Sequence, residues 1–278
     1  METAAVKGPS VVVETEARGG RLRPRHAKAL LGIAVMMGFA ALWEGVARLG
    51  LVTPILLPAP SSIVDTFWYL VKSGKLWDHI WPSVMRVVLG FVAAVLVAVP
   101  LGLLMGRSSW VDGGLYASFE LLRPIPPIAW TPLAIIWFGL GTPPAIFLIF
   151  LGAYFPILLN TVSGVKAIDK RLIHFAKTLG ASERIVMVEI VPAAALPSIM
   201  TGMRVGLGVG WMVVVAAEMI AASSGLGYMI MDGRFTLQTD VVIVGMLSIG
   251  FLGLGMDLLF RKLESVVLRW RRELVAER

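Results

Sequence analysis

Six long stretches of the chain carry almost no charge, near 28–49, 84–106, 112–139, 143–163, 197–222 and 240–261. A helix rises about 1.5 Å per residue, so an apolar run of roughly 20 residues matches the hydrocarbon thickness of a bilayer. Each stretch predicts a membrane-spanning helix, and the chain is expected to be all-α and polytopic. The third stretch is interrupted by Arg123-Pro-Ile-Pro-Pro127. Proline lacks a backbone donor and its ring collides with the preceding turn. A short helix over 111–122 and a half-span over 128–139 are therefore expected in place of one rod.

Composition agrees with this reading. Of the 278 residues 57% are hydrophobic and 15% charged, where a soluble domain carries about 25% charged residues. Mean hydropathy is +0.82. The net charge of +7 is not the footprint of a nucleic-acid binder, because the basic residues flank apolar spans. Taking both termini and every second loop as one side, 18 of the 25 lysines and arginines fall there. By the positive-inside rule that side is cytoplasmic. The expected organisation is a basic, disordered tail over 1–27, a transmembrane domain over 28–262 and a basic tail over 263–278. Cysteine is absent, which excludes disulfides and thiol chemistry, and His26, His79 and His174 lie too far apart in sequence to suggest a metal site.

Two polar segments carry structure of their own. In the outer loop 50–83, Ser62 and Asp65 stand at capping-box spacing. Ile63, Val64, Phe67, Trp68 and Val71 follow at helical spacing. They predict a short interfacial helix that covers the bundle or offers a surface to an extracytoplasmic partner. The other segment is the cytoplasmic hairpin 166–192. Asp169 suits an N-cap and Gly180 a C′ position, giving a helix over 170–179. Leu172, Phe175, Ala176 and Leu179 share one face, and Lys170, Arg171, His174, Lys177 and Thr178 the rest. Ser182 can cap a second helix running to Pro192. The apolar stripe needs burial, either on the bundle or on a partner.

From Ala176, three residues, Gly180, nine residues and Ile190, this hairpin resembles the coupling loop of ABC-importer permeases. His174-Phe175 stand where that pattern has Glu-Ala, and Pro192 falls one place early. Further pieces resemble the nitrate/sulfonate/taurine/bicarbonate group of that family. They are Glu120-Leu-Leu-Arg-Pro-Ile-Pro-Pro-Ile-Ala-Trp-Thr-Pro-Leu133, Trp137-Phe-Gly-Leu-Gly141, Thr201-Gly-Met-Arg-Val-Gly-Leu-Gly208, Glu218 and Gly225-Leu-Gly-Tyr228. The resemblance covers roughly 40–262. It implies the type I ABC importer permease fold in a bacterial inner membrane, and contact with an ATPase through Leu172, His174, Phe175, Ala176, Leu179, Gly180 and Ala181. It also implies two ATPase subunits that hold ATP and Mg, an extracytoplasmic solute-binding protein and a permease homodimer. No cofactor is expected in this chain, which carries no Walker-type phosphate loop and is read as a non-enzymatic subunit.

Charges inside the apolar stretches need partners or a wet cavity. Arg204, Trp211 and Glu218 repeat every seven residues, nearly two helical turns, and so lie on one stripe about 10 Å apart. Gly202, Gly206 and Gly210 form a separate face suited to close helix packing. Glu120 and Arg123 stand three apart at the proline break, with Trp130 seven residues on. A guanidinium fork there suits an anionic group. These six, Glu120, Arg123, Trp130, Arg204, Trp211 and Glu218, are candidate pathway residues. The other reading is mutual neutralisation of Glu120 with Arg123, and pairing of Arg204 and Glu218 with neighbouring helices. Glu44 and Asp257, near span ends, read as boundary or inter-helix residues. The expected function is passage of a small anionic solute. The alternatives are a neutral or vitamin-precursor organic, an ion-driven secondary transporter, or an integral membrane enzyme.

Overall fold

A computed structural model describes residues 24–269; the tail expectations for 1–23 and 270–278 lie outside the described residues. Among them every regular element is helical. Helix α1 (Pro24–Arg48) belongs to a unit ending at Val52. Arg48 closes its last turn on Glu44, 2.5 Å away.

The second unit, from Thr53 onward, holds α2 (Pro60–Lys72), α3 (Lys75–Arg107), α4 (Ser109–Leu122), a 3-10 turn (Pro127–Trp130) and α5 (Thr131–Phe138). It continues with α6 (Thr142–Lys166), α7 (Lys170–Thr178), α8 (Glu183–Ile185), α9 (Val191–Ala221), α10 (Leu226–Phe235) and α11 (Thr239–Val267). Among the described residues four helices are long and apolar enough to cross a membrane: α3, α6, the α8–α9 rod Glu183–Ala221, and α11. The proline-broken pair, bent by 85°, makes a fifth if counted as one span. The break falls where Arg123-Pro-Ile-Pro-Pro127 puts it.

Helix α6 lies between α3 and α9, and glycines explain how closely it does so. A Cβ on Gly90 or Gly102 of α3 would stand 2.7 Å from Ile149 or Thr161 Cβ of α6. On α9, a Cβ on Gly202 would stand 2.7 Å from Asn160 Cβ, and one on Gly206 3.0 Å from the Ala153 carbonyl oxygen. Such approach gains dispersion contacts that lipid would not supply. Leu148, Ile149, Ile157 and Leu158 are consequently buried in the centre.

Three boundaries differ from the sequence expectation. Helix α2 begins at Pro60 with Ala59 as an N-cap that makes no side-chain bond, so Ser62 is not the cap. Proline at the first helical position has its φ preset and lacks only an N–H that would be orphaned anyway. Helix α3 starts at Lys75, nine residues before 84, and carries Pro82 inside it. Polar Asp78 and His79 mask this turn in a hydropathy reading, while Trp77 and Trp81 are exposed, as in an interfacial aromatic belt. Finally, the hairpin's second helix does not stop at Pro192. It passes through a π segment, Val186–Ile190, directly into α9.

Candidate functional site

The hairpin is built from local rules. Asp169 accepts from the Arg171 N–H at 2.8 Å and starts α7. At its end Ala181 N–H reaches the Ala176 carbonyl and Gly180 N–H the Lys177 carbonyl, both at 3.0 Å. These are the two bonds of a Schellman motif. Gly180 takes φ +91, a left-handed conformation that side chains disfavour. Ser182 then accepts from Ile185 N–H at 3.4 Å. The bundle receives Ile173 and Ala181, which pack on a buried cluster around Val186 and Val191. Leu172, Phe175 and Leu179 remain 44%, 64% and 72% exposed. His174 is exposed and Ala176 half-buried.

Glu183, not anticipated from sequence, ties this knob down. It pairs with Lys177 of α7 and, at 3.3 Å, with Arg107 at the end of α3. In the π segment Val191 N–H bonds to the Val186 carbonyl, a five-residue reach that admits one extra residue per turn. The widened turn lets the rod continue past Pro192, which has no N–H to give to an ordinary helical bond.

The sequence-predicted intramembrane residues separate into two groups. Glu218 is shut away, with 1% of its side chain exposed. Arg86 Nη1 donates to it at 2.7 Å, Gly227 N–H at 2.9 Å, and the Ser83 hydroxyl lies 2.8 and 2.9 Å from its two oxygens. Arg86 also donates to the Ser224 carbonyl at 2.6 Å. The carboxylate thus sits at the N-terminus of α10, where the helix dipole favours negative charge. A Cβ on Gly225 or Gly227 would run into Glu218, which explains the Gly-Leu-Gly sequence at this point. Arg204 Nε donates to Asp257 at 2.8 Å, and Asp257 also receives Arg261 at 2.8 Å. Trp211 is 6% exposed, its indole N–H directed at Met256 Sδ. All three stripe residues are therefore engaged with neighbouring helices.

Glu120, Arg123 and Trp130 are differently placed. A cavity of about 510 Å³ is lined by Arg123, Trp130, Phe155, Leu159, Asn160 and Val209, among others. A smaller one of about 160 Å³ adjoins through Arg123, Phe155 and Leu159 and reaches Glu120, Asp112 and Lys166. Asp112 and Lys166 pair at 2.6 Å. No ion pair joins Glu120 to Arg123, and Arg123 enters none among the described residues. Arg123 caps the C-terminus of α4. A cation there gains about 0.3–1 kcal/mol from the helix dipole, and the Arg123 side chain is exposed beside the cavity.

Comparison with known proteins places the chain in a class. Residues 98–269 match the family described as binding-protein-dependent transport system inner membrane component, and the chain belongs to that family. It is 36% identical to the taurine transport system permease protein of Escherichia coli K12, covering 95% of this chain and 99% of that one. It is 33% identical to the nitrate import permease protein of Synechocystis, covering 76% and 80%. The fold superposes on an inward-facing structure of the MetNI methionine ABC transporter with a TM-score of 0.56, covering 67% of this chain and 95% of that chain. At 17% identity this likeness concerns the fold, that of a type I ABC importer permease. The chain is accordingly an ABC importer permease subunit.

Proposed function

We propose that the chain forms the translocation pathway of an ATP-driven importer for a small anionic solute such as nitrate, a sulfonate, taurine, bicarbonate or a similar organic acid. An extracytoplasmic binding protein delivers the solute, and two ATPase subunits with bound ATP and Mg supply the work. The permease acts as a C2 homodimer in a bacterial inner membrane, with both termini and the hairpin cytoplasmic. Hydrolysis belongs to the ATPase alone. The transport names of the relatives support the solute class.

One observation carries the ATPase contact: the exposed stripe Leu172, Phe175 and Leu179 on a hairpin that is otherwise fully capped and clamped. An apolar stripe held rigid in water is a surface awaiting a partner. Motion applied there enters α9 through the π segment without passing a flexible joint. From α9 it reaches α6 through the glycine face and α3 and α10 through the Arg86–Glu218 pair. Closure of the ATPases would rock these helices between outward- and inward-facing states.

The direct test is co-purification of an ATPase subunit with this chain. Leu179→Asp, which places a charge at the most exposed end of the stripe, is expected to abolish it while leaving the permease folded. Retention of the ATPase by that variant would contradict the proposed contact. Because the chain has no cysteine, single cysteines at Thr178 and Leu237 can report sidedness with a membrane-impermeant maleimide. Labelling of both from the same side would refute the orientation.

A further inference from the structure

Most of the chain's intramembrane charges are consumed by neighbours, and this singles out the cavity at the proline break. We infer that this cavity is a binding subsite for an organic monoanion: Arg123 takes the anionic head, and the walls of Trp130, Phe155, Leu159 and Val209 take a hydrocarbon body. The inference rests on the reading of the chain as an anion permease and narrows it.

Three features lead here. Arg123, exposed beside the cavity, enters no ion pair among the described residues, whereas Arg86 and Arg204 are committed to Glu218 and Asp257. Its fork of donors suits a sulfonate or carboxylate held by two oxygens. A second donor converges on the same space. Asn160, which also lines the cavity, spends one amide hydrogen on the Pro156 carbonyl at 2.8 Å and has a second to give.

The lining favours an occupant with a hydrocarbon body, because most of the residues around Arg123 are apolar. The cavity falls in the range of small-molecule sites, which pair an apolar lining with a few placed polar groups. A single unpaired cation also matches one negative charge rather than two. The adjoining smaller cavity shares Arg123 and leads to Lys166 at the hairpin end of α6. Arg123 therefore stands at the junction of two chambers, where the head group can be handed from one to the next.

The test uses the full-length permease in nanodiscs of zwitterionic lipid, titrated calorimetrically with 1-butanesulfonate, with formate as a head without a body, and with 1-butanol as a body without a head. Butanesulfonate is expected to bind about tenfold or more tightly than either control, as a charge-assisted bidentate contact together with apolar burial would give. Arg123→Gln should erase that preference, Arg123→Lys should retain part of it, and Trp130→Ala should weaken butanesulfonate severalfold without affecting formate. Arg234→Gln, the same change of charge on exposed α10, should bind as the parent does. Elution as a single folded species is the control on each variant.

Equal binding by parent and Arg123→Gln overturns the subsite, as does equal affinity for formate and butanesulfonate. Absence of probe binding overturns it too. ATP-driven uptake alongside Arg123-independent binding removes the subsite and leaves the transport reading standing. Arg123-dependent binding in a system without ATP-driven uptake supports the subsite and removes only the transport reading.

Discussion

Glu218 shows what pairing does to a charge that sequence alone cannot place. On its own helix it continues the seven-residue stripe of Arg204 and Trp211, and the sequence offers it as a pathway residue or as one half of an ion pair. The structure puts it in a closed knot with Ser83, Arg86 and the first amides of α10. The Arg86 partner is 132 positions away, and no local pattern announces it. Removing one member of a buried pair leaves the other charged and desolvated, at a cost of about 3–5 kcal/mol. Glu218→Ala is therefore expected to lower the thermal unfolding midpoint in detergent markedly, with Glu218→Gln intermediate because it keeps two of the hydrogen bonds. An unchanged midpoint in Glu218→Ala would contradict the structural role. Asp257 was legible as an inter-helix residue, and it is one, though its Arg204 partner was visible only as a possibility.

At the scale of elements, the signals that succeeded are local. Asp169 and Gly180 define α7 because capping and a left-handed turn are decided within five residues. The proline cluster after Arg123 breaks the third span for the same reason. The hairpin's second arm runs past Pro192 because the turn before that proline is widened. Here Val186–Ile190 is π, so the rod runs from Glu183 to Ala221. A π segment amounts to one inserted residue, and removing it restores α geometry while rotating what precedes it by about 100°. Deletion of Val188, which is 67% exposed, should leave the bundle folded but turn Leu172, Phe175 and Leu179 away from their partner. The expected reading is normal expression and thermal stability with uptake per ATP hydrolysed reduced at least severalfold. Full coupling in that variant would show that the π segment does not set the hairpin's direction.

For the molecule as a whole, four of the six expected spans, or five with the broken pair counted as one, are found among the described residues. They were readable because bilayer thickness imposes a length that a hydropathy window detects. The glycine face of α9 was readable too, since Gly202, Gly206 and Gly210 recur at four-residue steps. What that face packs against, and the glycines of α3 that complete the three-helix core, required coordinates. The cavity beside Arg123 is likewise a product of tertiary packing: its lining comes from α4, the proline break, α6 and α9. Together these features describe a closely packed three-helix core continuous with a hairpin held by the Glu183 ion pairs.

The most direct measurement is solute uptake into proteoliposomes containing the permease and binding protein, with and without the ATPase subunits. The account predicts uptake that requires ATP and the ATPase and is lost on Leu179→Asp. Uptake at an undiminished rate in vesicles lacking the ATPase would contradict it.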